Sequence, residues 1–149
     1  MPKVDLDAIV ETNRTGYPPP FDADVAGRWV RRLAPATGLT DFGASHVRLE
    51  PGAWSSQRHW HEGEDELMVM IAGEAVLVED DARTVLVAGD IVAWPKDVAN
   101  GHHLVNESDA PCLFLVVGTD HGTDCHYPDL DLHLEGATDR YHHKDGAPY

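Results

Sequence analysis

The chain has 149 residues, 42% of them hydrophobic, which is enough to bury one core of single-domain size. Its 26 acidic and 11 basic residues give a formal net charge of −15, which disfavours nucleic acid and anionic lipid surfaces as partners. No apolar run approaches the roughly 20 residues of a membrane span, and no basic segment leads into an apolar one near residue 1. We therefore expect a cytoplasmic protein with no membrane or nucleic-acid partner.

The chain divides into three predicted parts. Residues 1–27 are predicted to form an N-terminal arm, because prolines interrupt them and their apolar residues show little periodicity. Residues 28–118 are predicted to form a β-barrel, because short apolar runs alternate there with turn residues. Residues 119–149 lose the apolar pattern and are predicted to form a C-terminal tail. This tail either packs on the barrel as a lid or extends into solvent.

The predicted barrel contains strands separated by turns rich in glycine, proline and acidic residues. A loop is predicted around Pro35 and Gly38, between the first two strands. Seven to nine strands at this spacing indicate an all-β antiparallel sandwich or barrel. The predicted strands are 28–33, 45–50, 67–71, 75–78, 84–87, 91–94, 102–106 and 111–118.

A pair of histidines in the middle of the chain has the spacing of metal ligands. His59 and His61 are two residues apart, which in a strand places both imidazoles on one face. The polar residues 62–65 then predict a hairpin turn that would make Glu66 the cross-strand neighbour of His61. An isolated pair of this kind belongs more often to a solvated hairpin, so the metal-site interpretation depends on a second element.

Residues 89–106 are that second element. They combine a Gly-Asp turn, an apolar strand, a proline-led loop and a His-His pair that enters another apolar strand. Alternation turns His102 inward with Leu104, whereas His103 faces the other way. We predict that His59, His61, Glu66 and His102 bind one divalent transition metal, for which zinc, manganese, iron, nickel and copper are all acceptable.

The strand that follows Glu66 is apolar on both faces. If Glu66 points inward, the two methionines after it do so as well, and Leu67, Val69 and Ile71 face outward. An aliphatic outer face of this kind needs a cover, and we expect a homodimer. The residues predicted to line the pocket or support the ligands are Arg58, Met68, Met70, Trp94 and Leu104.

The two segments resemble the paired motifs of the cupin superfamily. The first motif is filled, with one extra spacer residue, by Gly52, His59, His61, Glu66 and Gly73. The second is filled by Gly89, Pro95, His102 and Asn106, but Asp97 stands where a glycine is usual and the loop is two residues longer. The resemblance covers about residues 43–118 and implies a double-stranded β-helix, or jelly roll. The flanks also resemble a group of small, largely uncharacterised bacterial cupins.

The ligand set and the resemblance together predict a metal-binding protein. Three imidazoles and one carboxylate leave a coordination position open, as a catalytic metal requires. We expect a metal-dependent enzyme of oxygenase, isomerase or lyase type that acts on a small organic molecule. The alternatives are a non-catalytic cupin that binds a small ligand or a metal for sensing or storage, and a barrel without metal. Sugar phosphates would need inward cations, and only Arg58, Lys96 and Arg48 lie near the motifs.

Overall fold

The computed structural model describes residues 3–119 and 122–149, and nearly all their regular structure is strand. A short 3₁₀ helix, Leu6–Ala8, lies in the arm, and one α-helix, α1, spans Leu33–Thr37. None of the helices in this part of the chain is long and apolar enough to cross a membrane. The strands are β1 Arg28–Arg32, β2 Gly43–Leu49, β3 Trp60–His61, β4 Glu66–Ala72, β5 Glu74–Val78, β6 Arg83–Val87, β7 Ile91–Trp94, β8 His103–Val105, β9 Cys112–Gly118, β10 Cys125–His126, β11 His133–Glu135 and β12 Arg140–His142.

Two antiparallel sheets build the barrel. The larger has the strand order β1-β2-β9-β4-β7 and the smaller has the order β6-β5-β8. One buried cluster takes side chains from both sheets, for example Leu49 and Met70 from the larger sheet and Leu77 and Leu104 from the smaller. The predicted all-β jelly roll is therefore confirmed, because two sheets share one core between their inner faces.

Strand β4 shows the predicted alternation. Met68 and Met70 are only 2% and 1% exposed, whereas Leu67 and Ile71 on the opposite face are 40% and 46% exposed. Burying a side chain of this size contributes roughly 1.5–3 kcal/mol to folding. The strand ends at Gly73, whose φ of 73° lies in the left-handed region, and a Cβ there would approach Cys112 to 2.9 Å. Gly73 therefore lets the chain leave the larger sheet for the smaller one.

The segment between the first two strands differs from its prediction. The predicted loop begins with the helix Leu33–Thr37, which ends at Gly38 in a left-handed conformation with φ of 77°. Pro35 does not prevent this helix, because the N–H groups of a first helical turn have no intrahelical partner.

The arm and the tail pack against each other at one end of the barrel. A second buried cluster joins Tyr17 and Val25 of the arm to Cys125, Tyr127 and Leu132 of the tail. The three short strands of the tail form a sheet with β3 in the order β12-β11-β10-β3. The tail from residue 122 onward is thus an ordered layer on the barrel rather than a solvated extension, and its role as a lid stays a prediction.

Candidate metal centre

Backbone pairing sets His59 and His102 opposite each other. The His59 N–H donates to the His102 carbonyl at 3.2 Å, and the His102 N–H donates to the His59 carbonyl at 2.8 Å. Directly opposed residues of an antiparallel pair project their side chains to the same side. The two imidazoles consequently enter one space, with ring centroids 5.1 Å apart.

His61 and Glu66 complete the predicted donor set. The Nε2 atoms of His59 and His61 are 3.0 Å apart, and Glu66 Oε2 lies 3.5 Å from His61 Nε2 and 3.7 Å from His102 Nε2. The structure thus brings the side chains of all four predicted ligands together, while metal binding by them stays a prediction.

The predicted hairpin turn at residues 62–65, which led to this ligand set, is wrong. Strand β3 pairs with β10 of the tail, and β4 pairs with β7 and β9. Residues 62–65 therefore cross from one sheet to another instead of closing a two-stranded turn. His61 and Glu66 meet because two sheets converge at this end of the barrel, not because the residues are cross-strand neighbours.

The histidine rings are held with their Nε2 atoms pointing inward. His59 Nδ1 lies 2.8 Å from the Gln57 carbonyl, and His102 Nδ1 lies 3.1 Å from the Asn100 carbonyl. A carbonyl only accepts, so each Nδ1 carries the proton and each Nε2 keeps a free lone pair. Trp94 stacks on the His102 ring at 3.9 Å between centroids and 7° between planes, which fixes the orientation of that ring.

The donor set fits a divalent transition metal. His102 Nε2 is buried without a hydrogen-bond partner among the described residues, and an unsatisfied buried acceptor costs about 1–3 kcal/mol. Ligands at about 2.1 Å from a metal are separated by roughly 3.0 Å at right angles and 4.2 Å across the ion. The observed separations of 3.0, 3.5 and 3.7 Å lie in that range.

The protonation states of His59 and Glu66 suit metal binding. Burial lowers the pKa of His59 to about 3, so this ring is neutral at physiological pH. Burial alone would raise the pKa of Glu66, but the imidazoles of His102 and His61 beside it outweigh burial and hold the pKa well below its usual value. Glu66 is therefore a carboxylate. Burial alone would lower the pKa of His61, but the Cys125 thiol and the Glu66 carboxylate beside it raise the pKa to about 10, so His61 releases a proton when it binds a metal.

These donors line a cavity of about 620 Å³. Of the predicted supporting residues, Met68, Trp94 and Leu104 line it as well.

Met70 lies deeper, in the barrel core, so its assignment to the pocket is corrected. Arg58 is also misassigned, because Asp129 and Asp80 hold its guanidinium and it lines a different cavity. His103 is buried, and its Nδ1 lies 2.9 Å from the Ser56 carbonyl.

The sequence interpretation missed the cations of the cavity, which are Arg14 from the arm and Arg28 and Arg32 from β1. One Nη of Arg28 donates to the Ser55 carbonyl at 2.7 Å, and its Nε is buried without a partner in the described ranges. No described carboxylate lies within 4.0 Å of this guanidinium. The alternation of side chains in β1 could have assigned Arg28 and Arg32 to the cavity, since both lie on the same face as the inward Val30.

Asp97 stands where the second motif usually has a glycine, and its backbone adopts a glycine-like conformation. Asp97 has a φ of 64°, in the left-handed region, and its carboxylate accepts from the Gly63 N–H at 3.0 Å. Its own N–H donates to the His61 carbonyl at 3.2 Å. The longer loop therefore braces the segment that carries His61.

Comparison with solved structures decides the family. The chain is 42% identical to a sugar phosphate isomerase of the cupin superfamily from Silicibacter pomeroyi, with a TM-score of 0.94, and the match covers 99% of this chain and 96% of that one. The chain belongs to the cupin superfamily. The sequence pattern of the family described as "Cupin domain" also matches this cupin, over residues 45–118.

More distant structures share the fold. A cupin 2 conserved barrel domain protein from Salinispora arenicola is 33% identical, with a TM-score of 0.53 over 62% of this chain and 76% of that one. A predicted oxalate decarboxylase from Thermotoga maritima is 21% identical, with a TM-score of 0.61 over 78% of this chain and 97% of that one. No curated protein matches the cupin described here.

Proposed function

We propose that this cupin is a metal-dependent enzyme that acts on a small anionic organic molecule, with sugar phosphates as the first candidates. One observation carries the proposal: a single cavity combines a convergent set of metal donors with a half-buried arginine whose Nε is buried and which has no described carboxylate partner. Neither feature is needed to fold the barrel, since an unpaired buried donor or acceptor reduces stability.

His59, His61, Glu66 and His102 would hold the metal. A bound divalent ion supplies Lewis-acid or oxygen-activating chemistry to a substrate oxygen. The residues themselves contribute a fixed, mostly buried frame, because backbone carbonyls orient His59 and His102 and Trp94 covers the His102 ring. A frame of this kind reduces the reorganisation needed when the substrate binds.

Arg28 would bind the anionic group of the substrate. A guanidinium presents a planar fork of donors that matches carboxylate and phosphate oxygens, and the hydrogen bonds it makes to them are stronger away from water. The cupin carries a net charge of −15, so an anion is attracted into this cavity only by local cations. Arg14 and Arg32 line the same cavity and add to that local positive charge.

Tyr17 would serve as a hydrogen-bond donor rather than a base. It lines the cavity, and burial raises the pKa of its phenol well above the usual value, so the hydroxyl stays protonated. A proton-transfer role at neutral pH would need a group that titrates closer to neutrality.

The relative from Silicibacter pomeroyi supports the choice of substrate class. It is a sugar phosphate isomerase, and its alignment with this cupin extends over both the arm and the tail. We expected a shortage of cations near the motifs to disfavour sugar phosphates. That expectation took account of Arg48 and Arg58, which are paired with carboxylates, and not of the arginines on β1 and the arm.

A deuterium wash-in assay tests the proposal. Metal-loaded protein is incubated in D₂O with a panel of aldose and ketose phosphates, and NMR follows isomerisation and solvent exchange. Turnover should depend on metal, and the Arg28→Met variant should have a KM raised about 10- to 150-fold, from the loss of roughly 1.5–3 kcal/mol of charge-assisted hydrogen bonding. Arg83→Met, which removes a guanidinium 53% exposed and paired with Glu107, is the matched control.

Three other results would change the proposal. Turnover of small carboxylic acids alone would keep the metal-dependent enzyme and replace its substrate class. Phosphate binding that needs Arg28 but gives no turnover would favour the non-catalytic binding alternative. An unchanged KM in Arg28→Met would remove this arginine from substrate recognition.

A further inference from the structure

The tail contributes a thiol to the cavity that holds the predicted metal ligands. Cys125 is 2% exposed, carries no disulfide, and lines the same cavity as His59 and His61. In the antiparallel pair of β3 and β10 it lies directly opposite His61. Opposed residues share a face with Cβ atoms about 5 Å apart, so the register of the tail sheet directs the sulfur toward the His61 ring.

Cys125 also has the spacing of a metal ligand. Its Sγ, one nitrogen of His59 and one nitrogen of His61 all lie within 4.8 Å of one another. The donors of His59, Glu66 and His102 form a second group with the same property. His59 belongs to both groups, so the sulfur lies beside a histidine that also groups with Glu66 and His102.

The other cysteine, Cys112, has the surroundings of a structural thiol. Cys112 has no exposed surface, belongs to the barrel core and packs under Gly73. Its surroundings are apolar, and burial raises the pKa of its thiol to about 11. Cys125, in contrast, sits beside two imidazoles.

We infer that Cys125 is a further ligand of the metal that His59, His61, Glu66 and His102 would hold. The inference rests on the metal site of the proposed function. On binding, the thiol releases its proton to solvent and the sulfur coordinates as thiolate. With Glu66, it brings two negative charges to a divalent cation, which neutralises the charge of the ion.

Two consequences follow from a thiolate ligand. Sulfur is a soft donor, so the site should prefer zinc, iron or copper to manganese, which is better suited by oxygen ligands. The tail also becomes part of the metal site, because β10 would be tied to the ion as well as to β3. Loss of the tail's packing should then reduce metal affinity as well as stability.

Cobalt substitution tests the inference on the full chain without a histidine tag. Cys125→Ser is compared with wild type and with Cys112→Ser, which removes the other thiol. We expect about one equivalent of cobalt in all three proteins, since His59, His61, Glu66 and His102 remain in each. A near-ultraviolet sulfur-to-cobalt charge-transfer band should appear in wild type and Cys112→Ser, and should be absent from Cys125→Ser.

X-ray absorption of the zinc form gives a second readout that needs no variant. Wild type should show a sulfur neighbour at about 2.3 Å from zinc. One equivalent of bound metal without a sulfur signal in wild type, or a signal that persists in Cys125→Ser, would overturn the assignment and leave the proposed function intact. Failure of wild type to bind either metal would overturn both.

Discussion

Replacing Leu132 by alanine is predicted to loosen the tail while the barrel stays folded. Leu132 has no exposed surface and packs in the cluster that joins arm and tail, apart from the barrel core. Leucine-to-alanine changes at fully buried sites cost about 2–5 kcal/mol. A central value of about 3 kcal/mol, at 1.4 kcal/mol for each factor of ten, increases the population of a locally open tail roughly 150-fold.

Hydrogen exchange followed by mass spectrometry measures this opening. In Leu132→Ala, amides of β10 and β11 should exchange about two orders of magnitude faster, whereas those of β2 and β9 should change little. Leu49→Ala is the matched control, because Leu49 is equally buried but lies in the barrel core. That control should accelerate exchange in both regions. A uniform acceleration in Leu132→Ala would refute the idea of a separable tail over the cavity.

Three further predictions concern ring support, the arm and assembly. Trp94→Ala should weaken metal binding about 10- to 100-fold in a chelator competition, because it removes the ring stacked on His102. Glu11→Gln should reduce stability by about 1 kcal/mol in urea at pH 7. A hydrogen bond from Arg48 lowers the pKa of Glu11, so this difference should shrink once the pH falls below 4.5. We propose that the outer face around Ile91, which is 64% exposed, pairs in a homodimer, and Ile91→Asp should yield monomers in sedimentation equilibrium. A monomeric wild type would contradict that assembly.

Local patterns in the sequence predicted most of the barrel. Alternation placed Met68 inside and Leu67 outside, because a strand with one face in a core fixes the direction of each side chain. Turn residues such as Gly73 marked strand ends, since only glycine fits its backbone conformation and close contact. These features depend on neighbours along the chain, and the sequence displays them directly.

The pairing between strands distant in sequence could not be predicted from local alternation and turn residues. The two-residue strand β3 is too short to reveal its partner, and that partner lies in a polar tail without apparent periodicity. A local hairpin was therefore predicted between His61 and Glu66, although β3 pairs with Cys125 and His126. The ligand set was nevertheless reached, because inward direction alone brings these side chains to one end of the barrel.

Charged residues on inward faces were the second source of error. An arginine on a strand is usually interpreted as solvent-facing, so Arg28 was not assigned to the cavity. Arg58, beside His59, was assigned to it, but Asp80 and Asp129 hold its side chain elsewhere. Both aspartates are distant in sequence, and such ion pairs become visible only in three dimensions.

Metal content is the most direct test of the central claim, that the imidazoles and Glu66 form a metal centre. Protein purified without a tag or chelator, and again after reconstitution, is analysed by element-resolved mass spectrometry beside His59→Ala and His142→Ala. His142 lies on β12 at the far edge of the tail sheet and serves as the matched control. About one equivalent of a transition metal is expected in wild type and His142→Ala, and its loss in His59→Ala, because His59 belongs to both groups of donors. Equal metal in all three proteins, or none in reconstituted wild type, would contradict the account.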